Sequence, residues 1–137
     1  YGGRGYALEA NDQIACIAMI ETAEGIANAD EIMSTSGLNG IYIGPADLAL
    51  SMGLPAMGDQ PQDEHLVVVK ELLEKCKAHK IAAGIHTSSL EYAQKYLALG
   101  FNFVTLGSES GHMAKNAARE LAAARGTAEA KRESTGY

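Results

Sequence analysis

Four short apolar runs punctuate the chain, at residues 14–20, 40–44, 81–85 and 101–106. Each is nearly continuous, the pattern of strands buried on both faces of a parallel sheet. Helical periodicity follows each run. The first helix is predicted over residues 23–35, stopping near Gly37. The second is predicted over residues 63–79, with Leu66, Val69, Leu73 and Cys76 on one stripe. The third begins at Ser88, which forms a capping box with Glu91. Leu90, Ala93 and Leu97 form its stripe, and Gly100 suits its C-terminal stop. The fourth spans residues 109–125, with Met113, Ala117, Leu121 and Ala124 inward. Residues 1–5 read as loop and residues 127–137 as a polar, frayed tail, which leaves one domain over residues 1–126.

The order βαβαβαβα predicts an α/β protein with a parallel sheet and right-handed crossovers. Two architectures fit: a doubly wound open sheet, or half of a (β/α)₈ barrel, which needs about 250 residues when whole. No G-x-G-x-x-G loop follows any of the strands. In both architectures the active face lies at the C-terminal ends of the strands, so polar residues there matter most.

Four strand ends follow. They are Glu21-Thr22, Gly44-Pro45-Ala46-Asp47, His86-Thr87-Ser88 and Gly107-Ser108-Glu109. Glu21 and Asp47 are one β/α unit apart. Neighbouring strands lie about 4.8 Å apart, so both carboxylates can reach one hard cation. Two carboxylates make an incomplete cage, which suits Mg²⁺ or Mn²⁺ with waters and substrate oxygens completing it. Both could instead cap the helices that follow them, and spacing leaves the two readings open. In the second strand end, Gly44 permits close backbone approach, while Pro45 fixes φ and removes a donor. The N–H groups of Ala46 and Asp47 can then receive an anion; the alternative is a plain strand-to-helix turn. Of the four histidines, His65 and His79 fall on helices and read as solvated. His112 reads as a surface residue, and His86 faces the strand mouth.

The bulk numbers exclude some functions. With 11 basic and 17 acidic residues the net charge is −6, against a nucleic-acid or anionic-membrane surface. No apolar run approaches the ~20 residues of a membrane span, and no signal-peptide pattern opens the chain. Cys16 and Cys76 lie far apart in apolar contexts and read as buried structural thiols, which favours a cytoplasmic protein. Residue 1 is Tyr, which leaves two expectations open: a processed or truncated chain, or a first part that is absent here.

Met19-Ile20-Glu21-Thr22-Ala23-Glu24-Gly25, followed by Gly40-Ile41-Tyr42-Ile43-Gly44-Pro45-Ala46-Asp47-Leu48-Ala49, resembles the signature of the HpcH/HpaI aldolases. Ala83-Gly84-Ile85-His86 and Phe103-Val104-Thr105-Leu106-Gly107 resemble the seventh and eighth strands of that family, and the likeness runs from about Arg4 to Arg125. The resemblance implies the last four units of a (β/α)₈ barrel of the pyruvate and phosphoenolpyruvate superfamily. It implies a metal-dependent aldolase that splits 4-hydroxy-2-oxo acids into pyruvate and an aldehyde. Glu21 and Asp47 correspond to the ligands of Mg²⁺, Mn²⁺ or Co²⁺, and Gly44, Ala46 and Asp47 to the turn that holds the oxo-acid carboxylate. His86 has no such counterpart, since many family members carry an apolar residue there; from its place at the strand mouth it could bind a polar or carboxylated aldehyde or merely hydrogen-bond a loop. The family's proton-transfer histidine and its arginine come from the first half of the barrel, so no catalytic residue is assignable in this half. The family commonly forms hexamers with the last helix exchanged, an expectation for residues 109–125. Two other readings remain: a related citryl- or malyl-CoA lyase, and a half-barrel that is catalytically silent without its N-terminal half. In a lone half-barrel the inner faces, with Ile17, Met19, Ile41 and Ile43, would lose the opposing core.

Overall fold

A computed structural model describes Gly3 and residues 5–126. Its four strands are β1 (Ile17–Ile20), β2 (Gly40–Ile43), β3 (Ala82–Thr87) and β4 (Phe103–Leu106). They form one parallel sheet in the order β1-β2-β3-β4, with no reversal of direction in the strand order. The tail, residues 127–137, lies outside the described residues.

The helices are α1 (Tyr6–Gln13), α2 (Ala23–Ala27), α3 (Ala29–Met33), α4 (Pro45–Ser51), α5 (Asp63–His79), α6 (Leu90–Leu99) and α7 (Glu109–Ala124). Two of them, α1 and α4, add to the expected set. The first expected helix is broken in two at Asn28, whose φ of −99° and ψ of 13° depart from helix. Gly25 and Asn28 are both weak helix formers, which lets the segment bend there. The cap of α6 also differs from expectation. Ser89 is the N-cap and accepts from the Tyr92 N–H. Ser88 instead donates its N–H to Asp59 Oδ1 at 2.8 Å. That partner lies 29 residues away, which no local pattern could reveal.

Alternation along the strands divides the sheet into two faces. Ile20, Ile43 and Ile85 share one row, and Ile41 and Ala83 share another on the same face. These residues form the core with Met33, Leu48, Val69, Leu72, Leu73, Cys76, Tyr96 and Phe101. Each fully buried isoleucine contributes about 2 kcal/mol by apolar transfer. Ile41 and Ile43 therefore pack against helices, not on an inner face as the sequence reading had it. The opposite face carries Met19, Tyr42, Gly84 and Phe103 in one row, and Ile17 and Met19 on it are 45% and 55% exposed.

Several expectations about burial are corrected. The α5 stripe includes His65 and Leu72, both buried, while Leu66 is only partly so. His65 has no exposure at all, in place of the solvated position expected of it. His79 is half-buried and meets Asp30, which also bonds Lys75; these two partners hold the Asp30 carboxyl below its usual range. On α6, Leu90 and Leu97 are exposed, whereas Ala93 and Tyr96 are buried. Cys16 is exposed, not buried. Cys76 is buried as expected, and burial pushes its thiol pKa up to about 11.

The chain separates into two compact units at Leu106/Gly107. In the second unit, Ser108 caps α7 by accepting from the Gly111 N–H at 3.2 Å. No α7 residue is buried: Met113 is 72% and Leu121 50% exposed, in place of the inward stripe expected. No helix among the described residues is long and apolar enough to cross a membrane.

Candidate active site

Glu21 is the first residue beyond β1. The α2 cap that follows is made by Thr22, whose side chain accepts from the Gly25 N–H at 3.0 Å. Asp47 lies in the first turn of α4, behind Gly44 and Pro45. Neither carboxylate has a hydrogen bond or ion pair to another described residue. The capping role that competed with a binding role is thus filled by Thr22 at the first site and unmade at the second.

A cleft of about 240 Å³ opens where these turns meet, lined by Met19, Glu21, Tyr42, Gly44, Pro45, Ala46, Asp47 and His86. All five residues expected at a site, Glu21, Gly44, Ala46, Asp47 and His86, border it. Larger surface depressions lie along α2 and α3, from Thr22 to Thr35, and along α5. The strand-end cleft is preferred because it joins two carboxylates from neighbouring strand ends to the backbone donors of the Gly44–Asp47 turn.

Two close approaches build the cleft. A side chain at Gly44 would collide with Glu21 Oε2 and lie 3.2 Å from Glu21 Cβ, so glycine leaves room for that carboxylate where it stands. The Ala23 N–H donates to Ser51 Oγ at 2.7 Å, tying the start of α2 to the last residue of α4. Glu21 is half-buried and Asp47 exposed. Among the described residues no group of three His, Cys, Asp or Glu side chains gathers as a metal cage. The pair supplies two hard oxygen donors, and that donor set fits a cation that retains water.

His86 is held on the open sheet face. Its Nδ1 lies 3.2 Å from the Tyr42 hydroxyl and 2.8 Å from Thr105 Oγ1, and the two hydroxyls also bond each other. Tyr42 in turn stacks on Phe103, with ring centroids 5.9 Å apart and planes 7° from parallel. Gly84 admits that arrangement, since a side chain there would strike the Phe103 ring. The partners engage Nδ1 and leave Nε2 without a partner among the described residues. Sequence reasoning missed Tyr42 and Thr105. Their only local signal was period-two alternation, which a nearly continuous apolar run conceals.

The chain belongs to the HpcH/HpaI aldolase/citrate lyase family, whose model matches residues 1–117. It is 37% identical over 123 residues to a hydroxypyruvate/pyruvate aldolase of Rhizorhabdus wittichii, covering 90% of this chain and 49% of that protein. It is 31% identical over 132 residues to a 2-keto-3-deoxy-L-rhamnonate aldolase of Klebsiella pneumoniae, covering 96% of this chain and 49% of the relative. Among solved structures, an HpcH/HpaI aldolase/citrate lyase family protein from Burkholderia cenocepacia matches with a TM-score of 0.78 and 28% identity. That match covers 89% of this chain and 47% of the other. The chain spans about half the length of the curated relatives it matches.

Proposed function

We propose that this chain forms the metal- and oxo-acid-binding half of a (β/α)₈ aldolase that cleaves 4-hydroxy-2-oxo acids to pyruvate and an aldehyde. The observation that carries the reading is the cleft, where Glu21, Gly44, Ala46, Asp47 and His86 come together at the ends of successive parallel strands. The unreversed strand order, with its core on one face and an open second face, supports a barrel over a doubly wound sheet.

Glu21 and Asp47 would hold the divalent cation, Mg²⁺, Mn²⁺ or Co²⁺. Such a cation supplies Lewis-acid stabilisation of the negative charge that develops on the oxo acid as its C3–C4 bond breaks. The N–H groups of Ala46 and Asp47 receive the substrate carboxylate. His86 presents Nε2 to the remainder of the substrate, with Nδ1 occupied by Tyr42 and Thr105. With His86 set against the remainder of the substrate, we assign the base that takes the 4-hydroxyl proton to the complementary half of the barrel. The exposed Met113 and Leu121 suit α7 to packing on a neighbouring subunit of a cytoplasmic homo-oligomer.

The test pairs calorimetric Mn²⁺ titration with an assay of pyruvate release. Glu21→Gln and Asp47→Asn should each weaken Mn²⁺ binding by more than tenfold, since each removes one of two anionic ligands. The 137-residue chain alone should bind Mn²⁺ without turnover. Unchanged affinity in both variants would overturn the metal assignment. Rapid pyruvate release by the lone chain would place a base within it, with His86 the first to mutate.

A further inference from the structure

Helix α5 carries a histidine that the proposed reaction does not use. His65 is fully buried, and its Nε2 lies 3.2 Å from the Pro45 carbonyl oxygen. A carbonyl only accepts, so Nε2 bears the hydrogen. Nδ1 is also buried and has no partner among the described residues. A buried acceptor left unmet is costly, and leucine would fill a similar volume without it. What histidine supplies in return is one N–H directed at Pro45.

Pro45 is the first residue of the turn that carries Ala46 and Asp47 into the cleft. Glycine precedes it, and no side chain caps α4. The Pro45 ring offers no N–H of its own. Within the turn the Leu48 N–H donates to the Gly44 carbonyl at 3.0 Å. Among the described residues, His65 gives the one side-chain hydrogen bond to residues 44–47. It therefore joins α5 to the strand-end turn.

We infer that His65 is a positioning residue for the metal site: its Nε2–H holds the Pro45 carbonyl and thereby sets where Asp47 and the Ala46 N–H stand in the cleft. The inference rests on the functional reading above. Groups that orient ligands from behind commonly change metal affinity tenfold or more when removed. A second proton on Nδ1 would be a buried charge without a partner, and burial and Lys95 both disfavour it. The neutral form with hydrogen on Nε2 is the one that can hold the turn.

The test uses the 137-residue chain, with Mn²⁺ as probe, at a temperature where circular dichroism shows each variant folded. His65→Leu should weaken Mn²⁺ affinity about tenfold. His65→Gln, which can present an N–H at a similar reach, should stay within about twofold of the parent. Should His65→Leu not fold, His65→Asn gives the same contrast, because its amide is too short to reach Pro45. Side-chain ¹⁵N spectra of the parent should show hydrogen on Nε2 and none on Nδ1. Equal affinity in all folded variants, an equal loss in His65→Gln and His65→Leu, or hydrogen on Nδ1 in place of Nε2 would each overturn the positioning role. A parent chain that binds no Mn²⁺ is a separate result, and it overturns the functional reading along with the inference.

Discussion

Glu21 Oε2 occupies the space that a side chain at Gly44 would need. The relationship makes a sharp prediction. Gly44→Ala should push the Glu21 carboxylate aside and weaken Mn²⁺ affinity by about tenfold, as displacement of a ligand does. Calorimetry on the folded variant checks it, and unchanged affinity would show that Glu21 moves freely or is not a ligand.

His86 should govern the aldehyde partner more than the oxo acid. His86→Leu should raise the preference for apolar over polar aldehydes while leaving the KM for pyruvate in the aldol direction near its parent value. Tyr42→Phe removes one hydrogen bond to His86, worth about 1 kcal/mol, or roughly fivefold in the same preference ratio. Competition assays with paired aldehydes on the assembled enzyme read both effects. An identical ratio in parent and His86→Leu would confine His86 to a structural role.

Gly84→Ala should destabilise the chain by about 1–3 kcal/mol, because the new methyl meets the Phe103 ring. Adding Phe103→Leu should restore part of that loss by making room. Urea denaturation of the single and double variants measures it, and simple additivity would show that the two residues do not compete for space.

Burial lowers the pKa of His65, with Lys95 acting in the same direction and the Pro45 hydrogen bond opposing. Above pH ~6.5, the usual value, folded and unfolded states both carry His65 neutral. As pH falls below that value the unfolded chain takes up the proton first, so stability declines until the lower folded value is passed. Between those values the slope can approach about 1.4 kcal/mol per pH unit. Urea midpoints at pH 7.5 and 5.5 should fall less in His65→Gln than in the parent. Matching declines would assign the acid sensitivity to other groups.

The two cysteines should react at very different rates. Cys16 is exposed, whereas Cys76 is buried with its thiol pKa pushed up to about 11, and thiolate is the reactive form. An aromatic disulfide reagent should modify one thiol quickly and the second only on unfolding. Two fast thiols would contradict the packing of α5.

The strands were legible because their apolar runs are short, separated and each followed by a helix. The residues of the candidate site could be singled out because its acids, its glycine and its histidine all stand within a few residues of a strand end. What remained hidden depends on contacts across the sequence. The α5 stripe was read through Leu66, but the buried row is His65, Val69, Leu72 and Cys76, at a spacing of four, three and four. A histidine among polar neighbours concealed that spacing. Ile41 and Ile43 were set on the inner face because an apolar run does not say which side meets helices. Ser88 and Ser89 each have the chemistry of a cap, and only the bond from Ser88 to Asp59 decides between them.

The hydrogen bond from Ala23 to Ser51 gives the cleft a mechanical character. It ties the start of α2, two residues beyond Glu21, to the C-terminal end of α4, one helical turn beyond Asp47. With the cation held by Glu21 and Asp47 as proposed, moving the two elements apart for a large ion would strain that tie. Calcium seeks six to eight oxygens at about 2.3–2.6 Å, whereas magnesium accepts two carboxylates at about 2.0–2.1 Å and keeps its water. Part of the discrimination between cations would then reside in a bond remote from both carboxylates, and Ser51→Ala would alter ionic preference without touching either of them.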